Sequence, residues 1–292
     1  MITLFTAPKP FTGRFADIQR NTIRSWLRLE PRCEILLIGP DQGVAAAAKE
    51  LGVRYTAHVE MNEYGTPLVN SVFAEAEKAA ADEILCYANA DIIFLGSLLS
   101  AIRMVENRGR FLVVGRRWDL NVPGSMTFDP GWESELTSRL RERGRLHGPS
   151  GIDYMVFRRG LWGAIPPFAL GRMVWDNWLL HAALSSGVLV ADATAVVTAI
   201  HQAHDYSHHP AGRLGIWHGP EATRNLELAG GLRNTATLRD VPFLLTSDGL
   251  RTRSVASRLF YRVVRSFSPR RLSELWGSLR GLGTRMAQRS DS

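Results

Sequence analysis

Short apolar runs alternate with helix-periodic segments through the first third of the chain. "ITLFTA", "CEILLIG", "VRYTAHV", "EILCYA" and "RFLVVGRR" each read as a buried strand. Between them lie "FADIQRNTIRSWLRL", with Ile18, Ile23, Trp26 and Leu27 near one face, "GVAAAAKELG" ending in Gly52, "TPLVNSVFAEAEKAA" and "GSLLSAIRMVEN". These four read as amphipathic helices, and Pro67 is expected in the first turn of the third, where a missing amide hydrogen costs nothing. The alternation predicts an α/β sheet over residues 1–117, and such sheets bind ligands at the carboxyl ends of their strands.

Beyond residue 118 the texture changes. "WDLNVPGSMTFDPGWESEL" and "GPSGIDYMVFRRGLWGAIPPFALGRMVWDNWLLHAALSSG" are rich in turn formers and tryptophan. They read as lids and an acceptor cleft rather than core, with a helix at the end of the second. "VLVADATAVVTAIHQ" reads as a last strand pair leading into the histidine-rich loop "HQAHDYSHHPAG". The expected division is therefore a donor-binding half over 1–117, an acceptor-binding and catalytic half of the same domain over 118–250, and a tail over 251–292.

Charge changes that picture at the tail alone. The net +7 of the 292 residues is concentrated in 251–292, which holds ten arginines against Glu274 and Asp291, so the first 250 residues are near neutrality. A neutral body excludes a nucleic-acid-binding domain, whose basic residues line the folded surface. Within the tail, Val255, Leu259, Val263 and Phe267, then Leu272, Leu275, Trp276, Leu279, Leu282 and Met286, recur at helical spacing with arginines between them. Two basic amphipathic helices of this kind suit either an anionic membrane surface or docking on the body with a solvated arginine face. The N-terminus lacks a signal-peptide pattern, and no run approaches the ~18 apolar residues of a membrane span. A cytoplasmic protein, peripheral at the inner face of the membrane, is the expectation. Cys33 and Cys86, the two cysteines, sit inside apolar runs and are expected as buried reduced thiols.

The candidate chemistry begins at "ILCYANADIIFLG", residues 84–96, where an apolar strand breaks into Asn89-Ala90-Asp91 and resumes at Ile92. At a strand end both polar side chains are able to face a crevice. They offer hard oxygen ligands for Mn²⁺ or Mg²⁺, or they cap the loop before the helix at Gly96. A second cluster, His201, His204, His208 and His209, follows the last strands directly. Its His201-x-x-His204 spacing has the form of a metal pair, but no cysteine accompanies it. Gly65 allows close backbone approach, and Thr66 either caps the next helix or turns free amides toward phosphate. Asp176 in "MVWDNWLL" sits beside Trp175 and Trp178, where partial desolvation would raise its basicity, or it caps its helix. Trp118, Trp132, Trp162, Trp175, Trp178 and Trp217 are either a sugar-stacking platform or core.

The pattern of strand, helix, strand, helix, then an apolar strand ending in an acidic triplet resembles the GT-A glycosyltransferases that use nucleotide sugars. The resemblance covers about residues 1–230 and rests most on "FTAPKPF", "YANADIIF", "VWDNWLLHA" and "AIHQAHDYSHH". It implies a Rossmann-like mixed, mostly parallel sheet flanked by helices, and transfer of a sugar from a nucleotide diphosphate donor to a glycan or lipid-linked acceptor. In that family an Asp-x-Asp motif holds a divalent metal against the diphosphate; here Asn89 replaces the first Asp, leaving Asp91 as the direct ligand. The resemblance further implies that Thr6, Ala7, Pro8 and Lys9 touch the base and ribose, and that Gly65 and Thr66 read the donor. It has His201 or His204 complete the metal shell, with Asp205 and Tyr206 lining the same cleft. It has Asp176 deprotonate the acceptor in an inverting reaction, with Asp153 the rival base and Glu221 a helix-start residue able to reach the cleft.

Two other readings fit parts of the sequence. A sugar-phosphate nucleotidyltransferase has a similar sheet, but its Gly-rich "GxGTR" loop is replaced here by "TAPKPFTGRF". A non-catalytic membrane-associated sugar- or nucleotide-binding module would keep the fold, and the Asn89 substitution is compatible with it.

Overall fold

The computed structural model describes residues 1–204, 219–254 and 256. Met1–Thr252 forms one compact unit, and Arg253–Ser292 forms a second that lies almost entirely outside the described residues. The helices expected in the tail, and with them Asp205, Tyr206, His208, His209 and Trp217, fall outside the described residues as well. Arg251 and Thr252, expected as the start of the tail, instead close a terminal hairpin. Among the described residues no helix is long and apolar enough to cross a membrane.

The large sheet contains β1 (Ile2–Thr6), β2 (Glu34–Ile38), β3 (Arg54–Thr56), β4 (Ile84–Ala88), β6 (Phe111–Val114), β9 (Tyr154–Arg158), β10 (Leu189–Asp192), β12 (Phe243–Thr246) and β13 (Gly249–Thr252). Their order is β13-β12-β10-β6-β9-β4-β1-β2-β3. All neighbours run parallel except β9, antiparallel to β4 and β6, and the β12–β13 hairpin. The strand–helix alternation predicts an α/β sheet, and its mixed, mostly parallel form flanked by helices is the one that the GT-A resemblance implies.

Alternate residues of each strand enter two separate cores. On one face Leu4, Leu37, Cys86, Val113 and Val156 pack under α1 (Gly13–Trp26), α2 (Val44–Leu51) and α4 (Ser97–Arg103). On the other, Phe5, Leu36, Tyr87, Leu112 and Phe157 pack under α3 (Val69–Ala79) and α6 (Trp175–Ser185). Each fully buried aliphatic or aromatic side chain of this kind contributes about 1.5–3 kcal/mol of transfer free energy, so both faces are strongly specified. Gly52 ends α2 in the left-handed conformation, φ 66°, returning its amide to Lys49. Cys33 and Cys86 are both buried and unoxidised, and burial pushes their thiols up, Cys33 to about 12.

A smaller sheet orders β5 (Ile92–Phe94), β11 (Ala199–Gln202), β7 (Trp118–Leu120) and β8 (Arg145–Leu146). It packs Ile93, Leu120 and Ile200 against Leu136 and Leu140 of α5 (Trp132–Arg143). One further helix, α7 (Pro220–Leu228), starts with proline in its first turn.

Four expectations are corrected. "VLVADATAVVTAIHQ" supplies β10 to the large sheet and β11 to the small one; the two strands do not pair. "SGIDYMVFRR" carries β9, a strand in the middle of the sheet, where a lid was expected. Its Gly and Asp flanks hid a run whose residues 154–157 are all buried. Helix α3 begins at Val69 with Leu68 extended, so Pro67 precedes the helix, in an isolated bridge with Met61. Thr66 does not cap that helix, and its amide is held by Asn62 Oδ1 at 2.9 Å rather than free for phosphate.

Candidate functional site

The site forms where three kinds of strand end meet. β4 delivers Asn89 and Asp91 at its carboxyl end, and antiparallel β9 delivers Asp153 at its amino end, because Ala88 pairs with Tyr154. The Asn89 amide nitrogen donates to the Asp153 carbonyl at 3.0 Å, closing that register one step further. The small sheet then positions the histidines. His201 on β11 lies opposite Ile92 of β5 on one side and Asp119 of β7 on the other.

Asp91, His201 and His204 bring ligating atoms that all lie within 4.8 Å of one another, the one such group among the described residues. His204 Nε2 stands 3.0 Å and His201 Nε2 3.6 Å from Asp91 Oδ2. Asp91 Oδ1 is buried without a hydrogen-bond partner. Burial opposes ionisation of this carboxylate, but the two histidines outweigh it and hold its pKa well below the usual range. Burial likewise works against the His201 imidazolium, yet Asp91 and Asp119 raise its pKa to about 9. A protonated His201 between two carboxylates occupies the electrostatic place of a cation. One carboxylate with an unsatisfied oxygen and two imidazoles form a donor set that fits a divalent transition ion such as Mn²⁺, whereas Mg²⁺ favours oxygen ligands alone.

Asn89 is oriented away from that role. Its Nδ2 donates to Asp153 Oδ1 at 2.9 Å and its Oδ1 accepts from the Tyr87 hydroxyl at 2.8 Å. Neither Asn89 nor Asp91 caps α4, whose N-cap is Gly96. Asp153, 5% exposed, also accepts from Arg117 Nη1 at 2.5 Å, and its Oδ2 has no partner. Burial raises the Tyr87 hydroxyl pKa, and Asp91, Asp153 and Asp176 raise it further, so the three carboxylates surround one phenol.

Asp176 occupies the first turn of α6 without capping it; the N-cap is Val174, at a positive φ of 87°. A β-branched residue in that region is strained, which fixes the approach of Trp175 and Asp176 to the site. Burial raises the Asp176 pKa to about 7, with Asp153 adding to it and the backbone amides of Asn177 and Ile152 partly opposing.

Thr6, at the end of β1, is fully buried with its hydroxyl unpartnered, and Ala7, Pro8 and Lys9 continue the chain from it. Lys9 Nζ stands 4.5 Å over the Phe15 ring, and Phe15 in turn meets His204 edge-on at 5.1 Å. Burial lowers the Lys9 pKa and Arg172 lowers it further against the pull of Asp91, so two cations and Asp91 share this corner. Gly65 has φ 74° in the turn before Thr66. Thr66 Oγ1 accepts from Arg172 at 3.3 Å, and Arg172 pairs with Glu221, which also accepts from Asn62 at 2.7 Å. Glu221 lines a cavity of about 520 Å³ between the 62–68 loop and α7.

Of the tryptophans, Trp175 is buried in the core with an edge-on contact to Tyr87, and Trp162 donates to Leu179 O and packs on Phe157. Trp178 packs on Phe168 and Trp132 on Phe128. Packing, rather than a shared sugar platform, accounts for these four.

Sequence reasoning missed Asp119, Arg117, His147 and Arg172. Asp119 accepts from Arg117 Nε at 3.0 Å and meets His147 Nδ1 at 2.9 Å and His201 Nδ1 at 3.2 Å. The available signal was "GRRWD", an Arg-Arg-Trp-Asp run directly after a parallel strand, where ligand-facing residues collect.

Comparison with family models and with curated proteins finds no match. Among solved structures, the chain is similar to the mannosyltransferase PcManGT from Pyrobaculum calidifontis, in complex with GDP-Man and Mn²⁺, at 13% identity and TM-score 0.45. That likeness covers 69% of this chain and 56% of the other, so the chain spans little more than half its length. It is similar to glucosyl-3-phosphoglycerate synthase from Mycobacterium tuberculosis, in complex with Mn²⁺, UDP and phosphoglyceric acid, at 15% identity and TM-score 0.47, covering 87% of each chain. It is similar to S. aureus TarS at 12% identity and TM-score 0.41, covering 68% of this chain and 57% of the other.

Proposed function

We propose that this protein is a metal-dependent GT-A glycosyltransferase, transferring a sugar from a nucleotide diphosphate sugar to a hydroxyl of a glycan or lipid-linked acceptor. The observation that carries this reading is the Asp91–His201–His204 group at the end of β4, with Asp91 Oδ1 buried and unpartnered. A divalent cation held there, when bound, stabilises the charge that builds on the departing diphosphate. Lys9, beside Asp91, places a desolvated ammonium where the same charge develops. Thr6, Ala7 and Pro8 form the wall against the nucleoside, and the Gly65–Thr66 turn, braced by Arg172, borders it.

Asp176 supplies the base. A carboxyl with its pKa raised to about 7 is half ionised near neutrality, strong enough to take the acceptor hydroxyl proton as that oxygen attacks the anomeric carbon. Attack from the face opposite the diphosphate inverts configuration. Asp153, gripped by Asn89 and Arg117 through Oδ1, directs its free Oδ2 toward a substrate hydroxyl. The basic tail suits an anionic membrane surface, where a lipid-linked acceptor would be found.

The test is nucleotide release from a panel of UDP-, GDP-, CDP- and dTDP-sugars with Mn²⁺, for the wild type and Asp91→Ala. Metal-dependent release by the wild type, lost in the variant, is expected. Turnover of no donor, or full activity in Asp91→Ala, overturns the reading.

A further inference from the structure

We propose that Asp119 is a positioning residue for the metal site: it fixes the His201 ring so that Nε2 faces Asp91 and the cation. The inference rests on the functional reading above and extends it to residues outside the ligand set.

The register of the small sheet creates the contact. β7 and β11 run parallel with Asp119 opposite His201, so the two side chains rise from the same face. His201 has a carboxylate oxygen near each ring nitrogen, Asp119 Oδ1 at 3.2 Å from Nδ1 and Asp91 Oδ2 at 3.6 Å from Nε2. The contact at Nδ1 is an ion-pair distance without hydrogen-bond alignment, but the Asp119 carboxylate beside that nitrogen favours the proton there, which leaves the Nε2 lone pair for a cation. The second histidine, His204, meets the Phe15 ring edge-on at 5.1 Å.

Asp119 is itself immobilised. Arg117 Nε donates to Oδ1 at 3.0 Å, and His147 Nδ1 contacts Oδ2 at 2.9 Å. Both oxygens are therefore occupied within the protein, which sets Asp119 outside the ligand shell. Arg117 also holds Asp153 Oδ1, so one guanidinium ties the histidine anchor to the Asn89–Asp153 pair. Asp119 and His201 lie on adjacent strands of the small sheet, and Asp91 directly precedes β5, the strand on the other side of β11, so that sheet is the platform for the ion.

The experiment is a titration of the full chain with Mn²⁺ alone, free ion being read by electron paramagnetic resonance, beside metal-free melting temperatures. Asp119→Ala is expected to bind Mn²⁺ about 10–100-fold more weakly than the wild type, the range for loss of a histidine's outer carboxylate. Asp119→Asn keeps the shape and an acceptor oxygen, and is expected to lose less. An Asp119→Ala affinity within about twofold of the wild type overturns the proposal. Should that variant fail to fold, wild-type affinity in Asp119→Asn overturns it equally. Weakened binding with an equally lowered metal-free melting temperature in both variants assigns Asp119 a merely structural role and overturns it too. A wild type that binds no Mn²⁺ defeats the functional reading instead, which separates the two failures.

Discussion

The Asn89 side chain donates to Asp153 Oδ1 at 2.9 Å, and this contact accounts for an amide where the GT-A resemblance has a carboxylate. An aspartate at 89 would set two carboxylate oxygens at hydrogen-bond distance with no proton between them. Asn89 satisfies Asp153 and Tyr87 at once, one with each end of its amide. Asn89→Asp is therefore expected to destabilise the fold by about 1–3 kcal/mol at pH 8, the cost of a buried group left without its partner. The repulsion raises the folded-state pKa of the pair above its unfolded value, so the loss shrinks as pH falls and a shared proton returns. Urea midpoints at pH 5 and pH 8 read this directly; equal stability of variant and wild type at pH 8 would show the new carboxylate turned away from Asp153.

Much of this site was legible because its parts sit at strand ends. Asp91 follows an apolar run that could only be a buried strand, and His201 follows another. What joins them was not legible. β5 and β7 have three residues each, too few to show a period, and Asp119 meets His201 only through a parallel pairing between distant segments. β9 escaped for a related reason: its strand runs against its neighbours after a long irregular stretch, so no strand–helix alternation announces it.

Asp176→Asn separates catalysis from folding. With a carboxyl pKa of about 7, transfer by the wild type is expected to fall about tenfold per pH unit well below neutrality and to level off above it. The amide variant should lose about 10²–10⁴-fold in rate while still binding Mn²⁺. Stability moves the other way. The folded pKa lies above the unfolded value near ~3.9, so the wild type is favoured fully below that value and loses this contribution as pH rises through about 7. Asp176→Asn should therefore gain on the wild type in melting temperature between pH 4 and pH 8. Near-normal transfer by the folded variant would remove Asp176 as the base.

Gly115 and Tyr154 form a steric pair beneath the site. A Cβ at Gly115 would lie 2.1 Å from the Tyr154 hydroxyl, which is buried with no hydrogen-bond partner. Tyr154→Phe is expected to be neutral or stabilising by about 1 kcal/mol, because it removes an unsatisfied polar atom. Gly115→Ala alone should destabilise strongly, and in the double variant the phenylalanine should recover part of the loss. Additive effects in a double-mutant cycle of unfolding free energies would refute the contact.

Gln202 couples stability to the metal site. It is fully buried on β11, next to His201, and its Nε2 donates to Ile18 O at 2.8 Å and Thr22 Oγ1 at 2.9 Å. Its Oε1 accepts from Asn21 at 3.0 Å, and its backbone amide donates to Asp91 O at 3.1 Å. The side chain thus pins the strand carrying His201 to α1, while the backbone pins it to the segment carrying Asp91. Gln202→Leu keeps the bulk but leaves the Asn21 amide and the Ile18 carbonyl short of a partner, at a cost of about 1–3 kcal/mol each where no other group takes over. The expected result is a lowered urea midpoint together with weakened Mn²⁺ binding in the fraction that remains folded. Unchanged Mn²⁺ affinity beside a lowered midpoint would show that β5 and β7 alone hold β11 in place.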